Sequence, residues 1–204
     1  MRAFLDTPVD DDTVAELLEL ASRAPSGGNV QPWRIYVITA ATMPRFVEFI
    51  AAREMEPPAY DIYPPGLWEP YRTNRFAIGE AMYGALGIPR ADAEARFAQL
   101  ARNWRFFDAP VGIFCFIDRR MGPPQWSDLG MFLQTFMLLA TERGLDTCAQ
   151  EAWAMWSGAV SEFVGAPEEE LLFCGVALGH ADPEAPVNQL ESDRMPLSEW
   201  ARFL

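Results

Sequence analysis

The residues with the clearest chemical potential lie in a short connection, Ala24–Trp33, with the sequence APSGGNVQPW. Pro25 ends the preceding helical pattern because it lacks a backbone N–H, and the glycines at 27–28 permit the positive φ angles that aim successive amides at one ligand. Asn29 and Gln31 add side-chain amides that both donate and accept hydrogen bonds. The stretch is suited to an anion or a polar ring, although a tight helix-to-strand connection without a ligand explains it equally well.

The sequence lacks the side chains that several common classes of enzyme need for catalysis. The chain has one histidine, His180, no G-x-S-x-G motif and no lysine, which excludes histidine-dependent hydrolytic triads, P-loop NTPases and pyridoxal Schiff-base enzymes. Its three cysteines are widely spaced in apolar contexts, so we interpret them as reduced core residues and predict no metal site. If the chain is an enzyme, its reactive group therefore comes from a bound cofactor that the protein orients.

Length and charge narrow the function class further. A chain of 204 residues is expected to form one domain, residues 1–204. The net charge of −13 has the wrong sign for binding nucleic acid or an anionic membrane. No apolar run reaches the roughly 18 residues of a membrane span, and no signal-peptide pattern follows Met1. We expect a cytoplasmic protein that acts on a small molecule.

The elements around the connection follow an α+β pattern. A helix is predicted from Thr13, which has capping-box spacing to Glu16, and the connection leads into a strand at 34–39. Segments 109–118 and 171–178 are nearly continuous apolar runs, which is typical of strands covered on both faces. These two segments are therefore predicted to form the middle of a sheet.

Three further segments predict how the domain is completed. Residues 127–143 form the longest predicted helix, and because it is apolar nearly all round we interpret part of its surface as a dimer interface. Residues 181–204 contain three prolines and few apolar residues, which predicts an extended C-terminal arm. The proline-rich segment 56–70 displays Tyr63 and Trp68, and it is either a pocket wall or an inert surface loop.

Helices are also predicted at 43–53, 70–87 and 91–104. The last two carry four arginines that we expect to be solvated: Arg72, Arg75, Arg96 and Arg102.

The chain also resembles a known family over nearly its whole length, the FMN-dependent nitroreductases. The P-S-x-x-N-x-Q-P-W pattern of the connection is the most specific of the matching segments. The segments occur in the family's order: Arg2–Phe4, Pro25–Trp33, Asp108–Pro110, Asp128–Gly130, Gly144–Cys148, Leu178–Gly179 and Arg194–Leu197. Agreement in order makes chance similarity improbable.

The resemblance implies a nitroreductase-like three-layer sandwich, with a central, mainly antiparallel sheet flanked by helices. Two subunits of a homodimer would exchange their C-terminal arms and share two FMN sites at their interface. NADH or NADPH would give hydride to flavin N5 and leave. A nitroaromatic, quinone or related acceptor would then take electrons from the same face in a ping-pong reaction. No protein side chain acts as a catalyst in this scheme.

The resemblance also implies the cofactor-binding residues. Arg2 and Arg194 would contact the FMN phosphate, because paired guanidinium N–H groups suit a dianion. Residues from the connection would hold the phosphate, ribityl chain and ring edge from the partner subunit: Ser26, Gly27, Asn29 and Gln31. Asn103 would reach the pyrimidine edge. Residues Gln150, Glu151 and Ala152 would lie along one flavin face, with a backbone N–H near N5.

Aromatic side chains are the candidates for the substrate side of the ring. Tyr63, Trp68 and Trp153, with Trp156 beside them, would cover the flavin, and core packing is the alternative for each of these residues.

One departure from the family pattern concerns the start of the chain. Family members place R-x-S just before the position of Met1, and these phosphate contacts are absent here. We expect either a native start further upstream or weaker phosphate binding. Two other functions stay open on the same fold: reductive dehalogenation or flavin fragmentation, and a flavin-binding dimer without turnover.

Overall fold

A four-stranded antiparallel sheet forms the middle layer of the protein. The computed structural model describes all 204 residues, with the strands in the order β1-β2-β4-β3. They are β1 (Arg34–Ile38), β2 (Val111–Asp118), β3 (Asp146–Gln150) and β4 (Glu170–Gly179). The two long apolar runs therefore occupy the centre, as the sequence predicts.

Helices cover both faces of this sheet, which confirms the three-layer architecture. In β2, Ile113 and Cys115 point into a core formed with α1 (Asp11–Ala21) and α5 (Pro123–Glu142). The alternate residues Phe114 and Phe116 point into a second core, formed with α2 (Met43–Ala51) and α6 (Ser157–Val164). A strand with both faces buried needs apolar residues at every position, and this requirement explains the unbroken hydrophobic run.

Seven further helical segments complete the fold. They are α3 (Tyr71–Ala85), α4 (Ala93–Ala101), the short α7 (Leu197–Trp200) and four 3₁₀ segments, Gly27–Asn29, Arg102–Asp108, Glu151–Trp156 and Pro186–Asn188. No residue of α3 is buried. None of the helices combines the length and apolar character needed to cross a membrane.

One local prediction, the start of the first helix, is wrong, and one strand was missed. Helix α1 begins two residues before Thr13, because the Asp10 carboxylate is the N-cap and accepts from the Thr13 backbone N–H at 2.7 Å. Strand β3 was not predicted. Its sequence, DTCAQ, is short and largely polar, and it lies at the edge of the sheet, where burial is not required on both faces.

Two glycines of the central strands bring aromatic rings close to the backbone. A Cβ atom at Gly175 would lie 2.3 Å from Trp153 Cδ1, and one at Gly112 would lie 2.3 Å from Phe106 Cε2. Both rings are fully buried. The missing side chains therefore create the space that fixes Phe106 and Trp153 against the sheet.

The surface retains apolar side chains that one chain does not cover. Leu138 on α5 is 62% exposed, and Trp200 and Phe203 at the C-terminus are 66% and 89% exposed. The terminal segment is joined to the body by an antiparallel bridge between Phe4 and Ala181.

Candidate active site

A cavity of about 820 Å³ lies beside the end of β3. Helices α3 and α4 and the start of the 3₁₀ segment Glu151–Trp156 complete its wall. Six residues predicted for the site line this cavity: Arg2, Tyr63, Asn103, Gln150, Glu151 and Ala152. The structure thus brings together residues that are far apart in the sequence.

The deep wall of the cavity carries a buried amide network. Gln150 is 2% exposed, and its Nε2 donates to both the backbone oxygen and Oδ1 of Asn103, each at 3.0 Å. The Asn103 Nδ2 in turn donates to the Leu100 carbonyl at 2.8 Å. Gln150 Oε1 has no hydrogen-bond partner. The free acceptor on this wall is therefore Gln150 Oε1, since both oxygens of Asn103 already accept from Gln150.

A second buried amide, Gln99, was not predicted from the sequence. It lies on α4, is 8% exposed, lines the cavity, and has no partner for its Nε2. Buried polar groups are normally paired, so an unpaired donor and acceptor on one cavity wall suit a ligand that offers both kinds of group. Gln99 lies three residues after Arg96, on the helix side that was expected to be solvated, so no local pattern indicated its burial.

The connection Ala24–Trp33 does not present a row of free backbone amides. The Gly27 N–H donates to both carboxylate oxygens of Asp128 at 3.2 Å, and the Gln31 N–H donates to Ser26 Oγ at 3.0 Å. Asp128 is 4% exposed, and a buried carboxylate needs such a donor. The Gly27 amide is therefore already paired in this chain, whereas the Asn29 and Gln31 side chains are exposed.

The connection and the cavity belong to opposite edges of the sheet. Gln150 pairs with Gly175, Gly175 with Phe114, and Phe114 with Tyr36 of β1. Three strand spacings separate Gln150 from Tyr36, a distance of about 14 Å. Accordingly, none of the connection residues predicted for the site lines this cavity.

Three other predicted residues also lie outside the cavity. Trp153 is fully buried among the rings of Phe46, Phe106 and Phe114, so its predicted substrate role is wrong and core packing is correct. Trp68 is 58% exposed and does not line the cavity. Arg194 is exposed, and its guanidinium donates to the Ser192 carbonyl and hydroxyl oxygens.

One arginine expected to be solvated instead joins α3 to α4. The Arg96 side chain is 19% exposed, forms an ion pair of 2.7 Å with Glu80, and lies 4.2 Å from the Tyr83 ring centroid. Hydrogen bonding from Arg96 lowers the pKa of the Glu80 carboxyl. This pair fixes the helix that carries Gln99.

Comparison with known proteins gives a consistent result over the whole chain. The model described as Nitroreductase family matches residues 1–180. A nitrobenzene nitroreductase from Ectopseudomonas oleovorans is 40% identical over 208 residues, which cover 100% of this chain and 92% of that protein. A chloronitrobenzene nitroreductase from Comamonas testosteroni is 36% identical, with the same coverage.

A solved structure agrees with these sequence relatives. It is the crystal structure of the FMN and NADPH-dependent nitroreductase NfnB from Sphigopyxis sp. strain HMH. The two chains align with a TM-score of 0.95 and 47% identity, over 100% of this chain and 93% of the other. This chain belongs to the nitroreductase family.

Proposed function

We infer that this chain is an FMN-dependent oxidoreductase that takes hydride from NADH or NADPH and reduces nitroaromatic compounds. The observation that carries this function is similarity over the full chain to enzymes that reduce nitrobenzene and chloronitrobenzene and to an FMN and NADPH-dependent nitroreductase. When bound, FMN supplies the redox chemistry, and the protein provides binding and orientation.

The deep wall of the cavity fits the polar edge of this cofactor. The pyrimidine ring of FMN presents an N–H donor beside carbonyl acceptors. Gln150 Oε1 and Gln99 Nε2 are a buried acceptor and a buried donor without protein partners. Glu151 and Ala152 begin a 3₁₀ helix, and the first N–H groups of a helix have no partner within it. Their backbone is the proposed partner of the flavin face.

The rest of the cofactor site is proposed to come from a second copy of the chain. Arg2, Asn103 and Gln150 to Ala152 would form one half of each site. Ser26, Asn29 and Gln31 of the other subunit would form the second half, and Arg194 would bind phosphate from the exchanged arm. The separation of about 14 Å across the sheet supports this division, as does the exposed Leu138 on α5.

The remaining proposals concern the acceptor and the location. The volume of the cavity suits a small molecule, and quinones are proposed as acceptors alongside nitroaromatics. Tyr63 at its mouth is the proposed aromatic contact on the substrate side. We place the protein in the cytoplasm, where its three free cysteines stay reduced.

The test is an anaerobic titration of the purified, FMN-loaded protein with NADPH and with NADH, followed by nitrobenzene. We expect the flavin to bleach with at least one dinucleotide, and nitrobenzene to restore its colour with formation of reduced nitrogen products. Protein that binds FMN but is reduced by neither dinucleotide would instead be a flavin-binding dimer. Loss of flavin absorbance that oxygen and nitro compounds do not restore would indicate flavin fragmentation, and halide release from a halogenated acceptor would indicate dehalogenation.

A further inference from the structure

Two arginines at the mouth of the cavity, Arg75 and Arg90, form no salt bridge. The Arg75 Cζ lies 4.2 Å from the centroid of the Tyr63 ring, and the Arg90 Cζ lies 5.2 Å from that of Phe76. The two rings are 49% and 51% exposed. A guanidinium that packs its face on an aromatic ring keeps its N–H edge available for an anion.

Glu69 and Glu80 pair with other arginines, and the charge of Arg90 also contributes to lowering the pKa of the Glu80 carboxyl. Two more arginines are already neutralised, Arg72 by Glu69 at 2.6 Å and Arg96 by Glu80 at 2.7 Å. The lining contains five arginines and only two glutamates, although the whole chain has a net charge of −13. A cationic cavity in an acidic protein concentrates anionic ligands.

We propose that Arg75 and Arg90 bind a phosphate group of the nicotinamide dinucleotide that reduces the enzyme. This inference rests on the proposed function, because it assigns a part of the same cavity to the hydride donor. Arginine pairs suit phosphate oxygens, since each guanidinium offers parallel N–H donors. The phosphate is either the 2′-phosphate, which only NADPH carries, or the pyrophosphate, which both dinucleotides carry.

The depth of the cavity favours a dinucleotide over a charged acceptor. Its inner wall is formed by buried groups, including Gln99, Phe107 and Gln150, whereas the arginines lie beside half-exposed rings at the mouth. A small nitroaromatic that lies over a flavin bound at this wall fits within the inner part of the cavity. The adenosine and phosphate groups of a dinucleotide extend away from its reacting ring, so they are the part of a ligand that reaches the mouth.

The experiment measures the reduction of the FMN-loaded enzyme by stopped-flow absorbance under anaerobic conditions, against NADPH and NADH concentration. In Arg75→Gln and Arg90→Gln we expect the apparent Kd of the dinucleotide to rise about tenfold or more, because each variant loses charge-assisted hydrogen bonds. The limiting rate of reduction should stay unchanged. Arg45→Gln is the matched control, since Arg45 also stacks on a ring, that of Phe163, but lies outside the cavity.

Two nucleotide probes distinguish the source of the phosphate without any redox step. Calorimetric titration with 2′,5′-ADP reports a 2′-phosphate, and titration with ADP reports a pyrophosphate. Weaker binding of NADPH and 2′,5′-ADP alone supports the 2′-phosphate and a preference for NADPH. An equal loss for NADH and ADP supports the pyrophosphate.

The outcomes that overturn the inference differ from a failure of the proposed function. If the wild-type enzyme is reduced normally and neither variant changes the binding of either dinucleotide, the inference is wrong and the function stands. The same holds if the variants raise only the KM of an anionic acceptor such as 4-nitrobenzoate. If neither dinucleotide reduces the wild-type flavin, the proposed function fails, and unchanged binding of both nucleotide probes then contradicts the inference as well.

Discussion

The two glutamines of the inner wall, Gln99 and Gln150, differ in their hydrogen bonds to the protein. Gln150 donates twice to Asn103, while Gln99 has no partner for its donor group. The resemblance predicted Gln150 because it falls within a family segment. Gln99 was missed because whether a glutamine on a short helix points inward depends on tertiary packing, here on the Arg96–Glu80 pair that holds α4.

This difference predicts opposite stability effects for two otherwise similar substitutions. Gln150→Leu removes the donor of two part-buried hydrogen bonds to Asn103, so we expect the free energy of unfolding of the FMN-free protein to fall by about 1 kcal/mol. Gln99→Leu removes an unpaired buried amide and should leave that stability unchanged or higher. Both variants should weaken FMN binding about tenfold. Urea denaturation measures the stability of each variant, and fluorescence titration with FMN measures its affinity for the cofactor. Equal losses of stability would show that the hydrogen bonds from Gln150 to Asn103 do not stabilise the fold.

The buried thiols predict how stability responds to alkaline pH. Burial raises the pKa of the Cys115 and Cys174 thiols above that of an exposed cysteine. In the unfolded chain these thiols ionise near pH 8.5, whereas the folded protein keeps them neutral, so stability is complete below this pH and falls above it. At pH 9.5 the loss should be about 1.4 kcal/mol for each thiol.

Urea denaturation between pH 7.5 and 9.5 measures this loss, and Cys115→Ala should show a shallower pH dependence than the wild type. The comparison uses the slope, because the substitution also lowers stability at every pH by leaving a small cavity. A slope that is the same in both proteins would show that Cys115 is not the titrating group.

At the scale of elements, the proline-rich segment is tied to the core by its first residue. The Glu56 carboxylate accepts from the backbone N–H groups of Gly158 and Ala159, at 2.7 and 2.9 Å, in the first turn of α6. The Glu56 N–H also donates to the Met155 carbonyl at 2.9 Å. Met155 and Tyr63 both line the cavity, so this contact holds the segment against the site.

Loss of this cap should destabilise α6 and the segment together. We expect Glu56→Ala to lower the free energy of unfolding by about 1–2 kcal/mol, the usual contribution of a helix N-cap. Glu54→Ala is the control, because that exposed carboxylate makes no hydrogen bond or ion pair in the structure and should change stability by less than about 0.5 kcal/mol. Thermal and urea denaturation of both variants measure the difference. Similar free energies of unfolding would show that Glu56 does not stabilise α6 as a cap.

Some strands and helices could be predicted from the sequence and others could not. Strands β2 and β4 were predicted because a doubly covered strand must be apolar throughout. The 3₁₀ segment Arg102–Asp108 was not predicted, because Phe106 and Phe107 have positive φ angles of 53° and 54°, which residues other than glycine rarely adopt. Packing of Phe106 against Gly112 sets this conformation, and such a contact joins residues that no local pattern relates.

At the scale of the molecule, one chain holds two separated groups of predicted cofactor residues. Arg2 and Gln150 line the cavity, while Asn29 and Gln31 lie in the connection that leads into β1, the strand at the opposite edge of the sheet. The sequence resemblance predicted that these groups meet across a dimer. The geometry of a single chain is consistent with that division. Three strand spacings, about 14 Å, separate Gln150 at the cavity from Tyr36 of β1, the strand that follows the connection.

This division predicts complementation between two inactive chains. The first variant carries Asn29→Ala and Gln31→Ala, and the second carries Arg2→Ala and Gln150→Leu; each alone should lose FMN in both sites of its dimer. When the two are co-expressed with different affinity tags, the mixed dimer has both damaged halves in one site and two native halves in the other. We therefore expect it to bind one FMN per dimer with near wild-type affinity and to regain about half of the wild-type nitrobenzene reduction. If each site were built from one chain, both sites of the mixed dimer would be damaged, and the purified heterodimer would hold no more flavin than either parent.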